Sequence, residues 1–379
     1  MSRLAVLGAS YLQRDLVVKA MDMGFEVHVF AWSEGEMVSD VCHQFHDISL
    51  TDTDALVRAC CSLGVDGVVT TSSDVAVPAM AEIAAQLNLV GPSLETAKCC
   101  THKGVMRQTL AEAGCAVPDF VVMTEWEEAM PFEPPFVVKA SDRSGSRGVT
   151  VVRAKAGWRS AFEEAQSVSF SGDVVVEQFF EGRQFSVEVV SQGGCHYFCG
   201  LTEEFFGGQA HCEKGNLVPG RLSMAELVAV FDEVKRSLDA LGVIDGASHT
   251  EVRINPQGEM CLVEVGARMG GDFRNRLVQE AYGVDMDELV INIALGRRIE
   301  DPNAEAKHRV MISWAFDDHD AEVFKAAVSK GQCLYQESLR SMGPVRPQSS
   351  NERYGYVIVS GATGEGDEWI KDELTRNSW

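Results

Sequence analysis

Apolar and polar positions along the first ninety residues follow two alternating periods. Arg3–Leu7 is a short apolar run, Leu12–Met23 places apolar residues at helical spacing, and Glu26–Ala31 is apolar again. Recurrence every three to four residues marks a helix face, and short unbroken apolar runs mark strands covered on both sides. The alternation continues with a helix at Thr53–Leu63 stopped by Gly64, a strand at Gly67–Thr71 and a helix at Val77–Leu87. Strands alternating with helices over short links predict a parallel sheet with helices on its faces, whose ligands sit beyond the carboxyl ends of the strands. Gly8-Ala9-Ser10 and Thr71-Ser72-Ser73-Asp74 stand at such ends.

From Pro92 the pattern changes. A helix is predicted over Ala97–Ala113, then strands at Phe120–Thr124 and Pro135–Ala140, a loop at Ser141–Gly148 and a strand at Val149–Arg153. A helix at Lys155–Gln166 and a strand at Asp173–Gln178 follow. Strands Gln184–Ser191 and Cys195–Leu201 flank Gln192-Gly193-Gly194, and strands His249–Asn255 and Glu259–Val265 flank Asn255–Gly258, both as hairpins. Between them lies a helix at Met224–Leu241, and after them helices at Arg274–Ala281 and Met286–Leu295. Beyond Gly296 the pattern predicts strand Arg309–Phe316, helix Ala321–Val328, strand Tyr354–Ser360 and helix Glu368–Leu374. Glu203–Gly208 and Gly215–Pro219 are expected to form a loop over a substrate mouth.

Composition narrows the class. The 379 residues are 45% hydrophobic and 23% charged, a globular balance long enough for two or three domains. No apolar run approaches the roughly 20 residues that cross a bilayer, and Leu4–Leu7 reaches Gly8 at once, so a cytoplasmic protein without a membrane role is expected. Eleven cysteines, an odd number without small-domain spacing, point to reduced and mostly buried thiols. A net charge of −23 opposes attraction to nucleic acid or anionic lipid. Such a chain must gather its cations locally wherever it binds a polyphosphate.

Two constellations meet that requirement. The loop Ser141-Asp142-Arg143-Ser144-Gly145-Ser146-Arg147-Gly148 carries the hydroxyls, flexible backbone and charge that close over phosphate oxygens. Lys139 ends the apolar strand before it, where a cation needs an anionic partner. Glu251 and Glu264 lie on the two strands joined at Asn255–Gly258, and antiparallel pairing brings them close. Facing carboxylates repel unless a cation separates them, and hard oxygen ligands beside phosphate suit Mg²⁺. The chain lacks both the P-loop string and the glycines of a dinucleotide turn, so a nucleotide site here needs another architecture. A zinc site at Cys195, His196, Cys199, His211 and Cys212 has no usual ligand spacing and is set aside. Lys98 and Arg107 are expected to be solvated helix residues, and His43 and His46 surface loop residues.

These residues resemble the ATP-grasp family of ligases from about residue 3 to Gly296, with a weaker echo in Tyr354–Thr363. Gly91-Pro92-Ser93 with His102-Lys103-Gly104 is similar to the family's lead-in to its nucleotide lobe, and Lys103 and Lys139 match its two nucleotide-contacting lysines. Ser141–Gly148 resembles the mobile glycine-rich loop, with Ser141, Ser144, Gly145, Ser146 and Gly148 on the phosphates. Glu177-Gln178-Phe179-Phe180 resembles the hinge strand facing adenine, and Gln184 falls where many members carry a ribose-binding Glu. His249-Thr250-Glu251 and Glu264-Val265-Gly266-Ala267-Arg268 resemble the metal and substrate segment, although Gly266 stands where many members have Asn.

The resemblance implies ATP and Mg²⁺ (or Mn²⁺) held by Glu251 and Glu264, with Lys139 and Arg268 as catalytic residues. It places His249, Arg268, Gly270, Gly271, Asp272, Gly8 and Ser10 at the substrate. It implies small-molecule carboxylate and amine substrates joined through an acyl phosphate, with an amino acid or peptide on at least one side, and by analogy a homodimer. A phosphoribosyl ligase and a non-catalytic nucleotide-binding module are the alternatives. The implied fold is α/β: a parallel-sheet N-terminal domain over 1–95, a two-lobed α+β core over 96–300 (small lobe about 96–172, large lobe about 173–300) and a small C-terminal α/β segment over 301–379.

Overall fold

The computed structural model describes residues 1–33, 37–207, 212–315, 333–338, 353 and 355–361. Strands β1 (Arg3–Leu7), β2 (Glu26–Ala31), β3 (Gln44–Asp47) and β4 (Gly67–Val69) form a parallel sheet in the order β3-β2-β1-β4. Helices α1 (Arg14–Asp22), α2 (Thr53–Leu63) and α3 (Ala76–Leu87) link them. Leu4, Val6 and Val27 are fully buried, as runs covered on both faces should be. The Asp52 carboxylate caps α2 by accepting from Ala55 N, and Gly64 ends it in the left-handed conformation.

The single helix expected over Ala97–Ala113 is two, α4 (Leu94–Thr101) and α5 (Lys103–Glu112). His102 leaves helical geometry and its ring caps α5 by accepting from Val105 N. That break lets α5 start afresh with Lys103 in its first turn. Strands β5 (Phe120–Met123), β6 (Phe136–Ala140), β7 (Val149–Val152) and β8 (Val174–Gln178) form an antiparallel sheet, order β5-β8-β6-β7. Helix α6 (Trp158–Val168) covers it through Trp158 and Phe162, which pack with Phe136, Val138 and Val176.

The third sheet has eight strands: β9 (Arg183–Gln192), β10 (Cys195–Gly207), β11 (Cys212–Val218), β12 (Gly246–Ile254), β13 (Met260–Gly266), β14 (Arg309–Ala315), β15 (Cys333–Ser338) and β16 (Gly355–Gly361). Their order is β13-β12-β9-β10-β11-β14-β16-β15, so strands from beyond residue 300 continue this sheet. Helices α7 (Met224–Ala240), α8 (Arg274–Tyr282) and α9 (Met286–Ala294) complete it. The stretch expected as a loop at Glu203–Gly208 and Gly215–Pro219 is mostly the paired ends of β10 and β11, Glu203 opposite Leu217. Its glycines suggested a turn, but Gly215 sits in the ladder where a Cβ would meet Ile312 O at 2.7 Å. The helices expected at Ala321–Val328 and Glu368–Leu374 fall outside the described residues. No described helix is long and apolar enough to cross a membrane.

Candidate active site

A cavity of about 450 Å³ is walled by the second and third sheets, by helix α5 and by the loops that follow β1 and β4 of the first sheet. Helix α5 organises one wall. Lys103 and Arg107 are four residues apart and so share a helix face. Lys103 Nζ lies 3.0 Å from Glu264 Oε1 and donates to Arg143 O at 2.7 Å. Arg107 is not solvated: it is buried, donating from Nε to Glu177 Oε1 at 2.7 Å and from Nη2 to Val263 O at 2.7 Å. Lys139 Nζ meets the other Glu177 oxygen at 2.7 Å. Both Glu177 oxygens are thus taken by cations, and this carboxylate is available to an adenine only through rearrangement.

Burial pushes Glu177 up, but Arg107 and Lys139 outweigh it and hold the carboxyl down at about 2. Burial prevails at Lys139, which is lowered. Because Arg107 holds Glu177 independently, Lys139 can lean to an incoming phosphate without stranding a buried carboxylate. The depressed carboxyl stabilises the fold above the ordinary glutamate pKa, and that stabilisation disappears as pH falls towards about 2. Glu177→Gln should cost about 3–5 kcal/mol at pH 7 by exposing two buried cations to each other. Denaturant titrations should show this gap closing between about pH 4.5 and 2, and a gap independent of pH would contradict the clamp.

The segment expected to hold the metal lies on β12 and β13, where Glu251 is directly opposite Glu264 and the ladder bulges after Glu251. Gln184 donates to Glu251 Oε2 at 3.0 Å and Glu204 Oε2 at 2.8 Å, and accepts from Arg253. Among the described residues, Glu204, His249 and Glu251 have donor atoms within 4.8 Å of one another. His249 Nδ1 lies 2.5 Å from Glu188 Oε1 and its Nε2 is 3.6 Å from Glu251 Oε1. Against burial, Glu188 raises this imidazole to about 10 and takes its Nδ1. Glu204 is held by Arg274 at 2.8 Å. The carboxylates of Glu251 and Glu264, the latter also paired with Lys103, offer hard oxygen atoms that fit Mg²⁺ or Mn²⁺ beside phosphate.

The remaining candidates divide. Ser144, Gly145, Ser146, Gln178, Phe179 and Phe180 line the cavity, as do Gly271 and Asp272. Ser141 lies beneath the wall, where its Oγ accepts from Gly104 N at 3.1 Å and anchors the loop to α5. Gly148 has φ +68° and packs so that a Cβ would lie 2.5 Å from Val168 Cγ2. Gly270 donates to Glu188 Oε2 at 3.0 Å, and a Cβ on it would lie 2.6 Å from Glu188 Oε1. Gly8 and Ser10 are outside the cavity wall: Ser10 bonds Gln13, and the next residues, Tyr11 and Leu12, line the cavity instead.

Arg268 faces Asp74 in a bidentate pair, Nε to Oδ1 at 2.8 Å and Nη2 to Oδ2 at 2.9 Å. Asp74 follows β4, so a strand end of the first domain positions an arginine of the large sheet. A parallel bridge from Thr71 to Met269 locks the two loops together. Sequence reasoning missed Asp74 as a partner, although its position after a parallel strand was the signal. It also missed Glu188, Glu213 and Arg353, and it placed Glu204 in a loop over the substrate mouth, where Glu204 lines the cavity from β10 instead. Cys199 is buried with its thiol towards Tyr197 O, and His196 bonds Ser191 and Asp239. His46 is in β3, stacked on Phe30. His211 lies outside the described residues.

Paired lysines and facing carboxylates on one cavity offer what a nucleotide phosphate and a divalent ion would need. The chain resembles the ATP-grasp domain family, whose model matches residues 132–275. It is similar to alanine–anticapsin ligase of Bacillus subtilis, 22% identical over 66% of this chain and 58% of that protein. It is also similar to the formate-dependent phosphoribosylglycinamide formyltransferase of Oleidesulfovibrio alaskensis, 29% identical over 56% of this chain and 53% of that protein. The chain therefore spans just over half the length of these two relatives. An L-amino acid ligase from Bacillus licheniformis shares the fold, with a TM-score of 0.83 and 22% identity over 100% of this chain and 98% of that one.

Proposed function

We propose that the protein is an ATP-dependent carboxylate–amine ligase that works through an acyl phosphate, with an amino acid or peptide as at least one substrate. The observation that carries this reading is the convergence on one cavity of Lys103, Lys139 and Arg268 with the opposed carboxylates Glu251 and Glu264. A module that only bound nucleotide would have little use for Arg268 clamped beside that pair. Lys103 and Lys139 hold phosphate oxygens, Phe179 and Phe180 border the base, and Glu251 and Glu264 hold the divalent ion. When bound, that ion neutralises charge on the transferring γ-phosphoryl group.

A carboxylate oxygen of the acid attacks the γ-phosphorus while the bond to the ADP oxygen breaks. Arg268 stabilises the charge that develops on the equatorial oxygens. The amine nitrogen then attacks the acyl carbon, phosphate leaves with the C–O bond electrons, and the nitrogen sheds its proton. The loop Ser141–Gly148 excludes water until the amine arrives.

The phosphoribosyl alternative needs a phosphate-binding cation near the first loops. Arg14 is engaged there with Asp40 at 2.8 and 2.9 Å, which speaks against it. ADP release should be stimulated by particular pairs from a panel of carboxylates and amines, with mass spectrometry identifying an amide. Stimulation by a phosphoribosylamine or phosphoribosylglycinamide substrate alone would favour the alternative, and none by any compound would favour the module.

A further inference from the structure

Both stems of the loop Ser141–Gly148 are held by one piece of chain, the end of α6 and the link Ser169–Asp173 that leads to β8. At the first stem Asp142 turns its carboxylate into that link. Its Oδ1 accepts from Ser169 Oγ at 3.0 Å and from Phe170 N at 2.9 Å, and its Oδ2 accepts from Ser171 N at 2.7 Å. Gly172 N donates to Ser169 Oγ at 3.1 Å, and Ser141 N donates to Asp173 O at 3.1 Å. At the second stem Gly148 packs against Val168, the last residue of α6, so closely that a Cβ would lie 2.5 Å from its Cγ2. Burial pushes the Asp142 carboxyl up, but the bonds from Phe170 N and Ser171 N outweigh it and hold it below the usual carboxylate range. Such charge-assisted bonds are roughly twice as strong as neutral ones.

Between the stems the loop is tied differently. Arg147 Nε donates to Ser144 O at 3.0 Å, a bond inside the tip that moves with it. Ser144, Gly145 and Ser146 face the cavity. The Arg143 guanidinium lies over the exposed Phe170 ring, 4.2 Å from its centroid. Arg143 Nε is buried with no hydrogen-bond partner among the described residues. A buried donor in that state costs free energy and gains by meeting an acceptor. Arg143 O accepts from Lys103 Nζ at 2.7 Å, so a lysine proposed for the phosphates also touches the loop.

We propose that the link Ser169–Asp173 is the pivot on which this loop closes, and that Asp142 is the positioning residue that fixes the pivot. The proposal rests on the ligase reading and accounts for how its acyl phosphate is kept from water. With both stems fixed on one body, the tip has one path, and Arg143 leaves the Phe170 ring for a phosphate oxygen as it closes. Without the Asp142 bonds the first stem is released and the tip stops in several positions, so water reaches the intermediate. Water oxygen attacks the acyl carbon, the bond to the phosphate oxygen breaks with its electrons leaving on phosphate, and the acid is regenerated with loss of a proton. ADP is still released, but no amide forms.

The test measures ADP and amide together on the full chain with Mg²⁺, ATP and the panel of carboxylates and amines. Asp142→Asn should raise the ADP released per amide formed by about tenfold, the scale of losing one charge-assisted hydrogen bond. Asp142→Glu, which keeps the charge, should restore part of the coupling, and Ser169→Ala, which removes one of the three bonds, should raise the ratio less. Melting temperatures establish that the variants fold, and should Asp142→Asn not fold, Ser169→Ala reads the same ratio in a milder form. Hydrogen exchange supplies a readout without turnover. In the wild type the Phe170 and Ser171 amides should be protected with and without a non-hydrolysable ATP analogue, while Ser144–Arg147 gain protection only with it. In Asp142→Asn the Phe170 and Ser171 amides should exchange freely in both states. Their continued protection in that variant would overturn Asp142 as the anchor. A wild-type ratio of ADP to amide in a variant whose link has come free, even with all rates lowered, would overturn the pivot and leave the ligase reading standing. Failure of the wild-type protein to form an amide from any pair would bring down the ligase reading and the pivot's role together.

Discussion

Glu264→Gln should lower ADP release by on the order of a thousandfold while the protein remains folded. Losing a divalent ion's hold on the transferring phosphoryl group removes several kcal/mol of transition-state stabilisation, and each 1.4 kcal/mol is about tenfold in rate. Glutamine keeps the shape of the side chain and one acceptor for Lys103, so little rearrangement is expected. Glu264→Ala should lose at least as much activity, but it strands Lys103, whose ammonium Glu264 raises against the effect of burial. The Glu264 side chain is about a quarter exposed (27%), so water softens the stability loss in the alanine variant. Near-normal turnover by either folded variant would remove Glu264 from the metal site. Raising Mg²⁺ or Mn²⁺ should restore part of the glutamine variant's rate, because Glu251 and the nucleotide phosphates still offer ligands.

Arg268→Lys should lower kcat by roughly a hundredfold or more, the usual consequence of removing one preorganised charge from a transition state. KM for ATP should change little if, as proposed, Lys103 and Lys139 hold the phosphates. Lysine keeps the charge but not the planar fork that grips both Asp74 oxygens. Asp74→Asn separates positioning from charge: Arg268 remains, but its orientation is no longer fixed by a carboxylate. A smaller fall in kcat is expected there. Steady-state kinetics that showed a large rise in KM for ATP in Arg268→Lys with unchanged kcat would place the arginine on the nucleotide instead.

The two variants probe parts of the site that were unequally legible in the sequence. Glu251 and Glu264 could be brought close because a hairpin turn joins their strands, but the bulge after Glu251 that makes them direct partners, where the turn's own register would pair Glu251 with Val263, had no local signal. Lys139 was legible as a buried cation needing an anion because it ends an apolar strand. The identity of that anion was not, since Glu177 arrives from β8, some forty residues later. Arg107 was read as solvated because helical periodicity does not say which side a second lobe will cover. Its spacing from Lys103 was the available clue. The extension of β10 through Glu203–Gly207 was hidden by glycines that usually punctuate turns, yet Glu203 there gathers Arg183 and Arg221. Asp74 with Arg268 joins residues 194 apart, and no local pattern encodes such a pair.

Local gathering of cations would let a strongly acidic chain bind a polyphosphate, as the proposed function requires. Net charge of −23 is repulsive at long range, but Lys103, Lys139, Arg143 and Arg147 are gathered on one cavity. Screening beyond about 10 Å at ordinary ionic strength leaves that local field in control.

Mn²⁺ anomalous diffraction from crystals holding the protein with a non-hydrolysable ATP analogue tests the proposed site most directly. Manganese should lie between the Glu251 and Glu264 carboxylates, in contact with phosphate oxygens and with Lys139 turned to the same phosphates. Manganese bound elsewhere, with both glutamates directed away from the triphosphate, would contradict it.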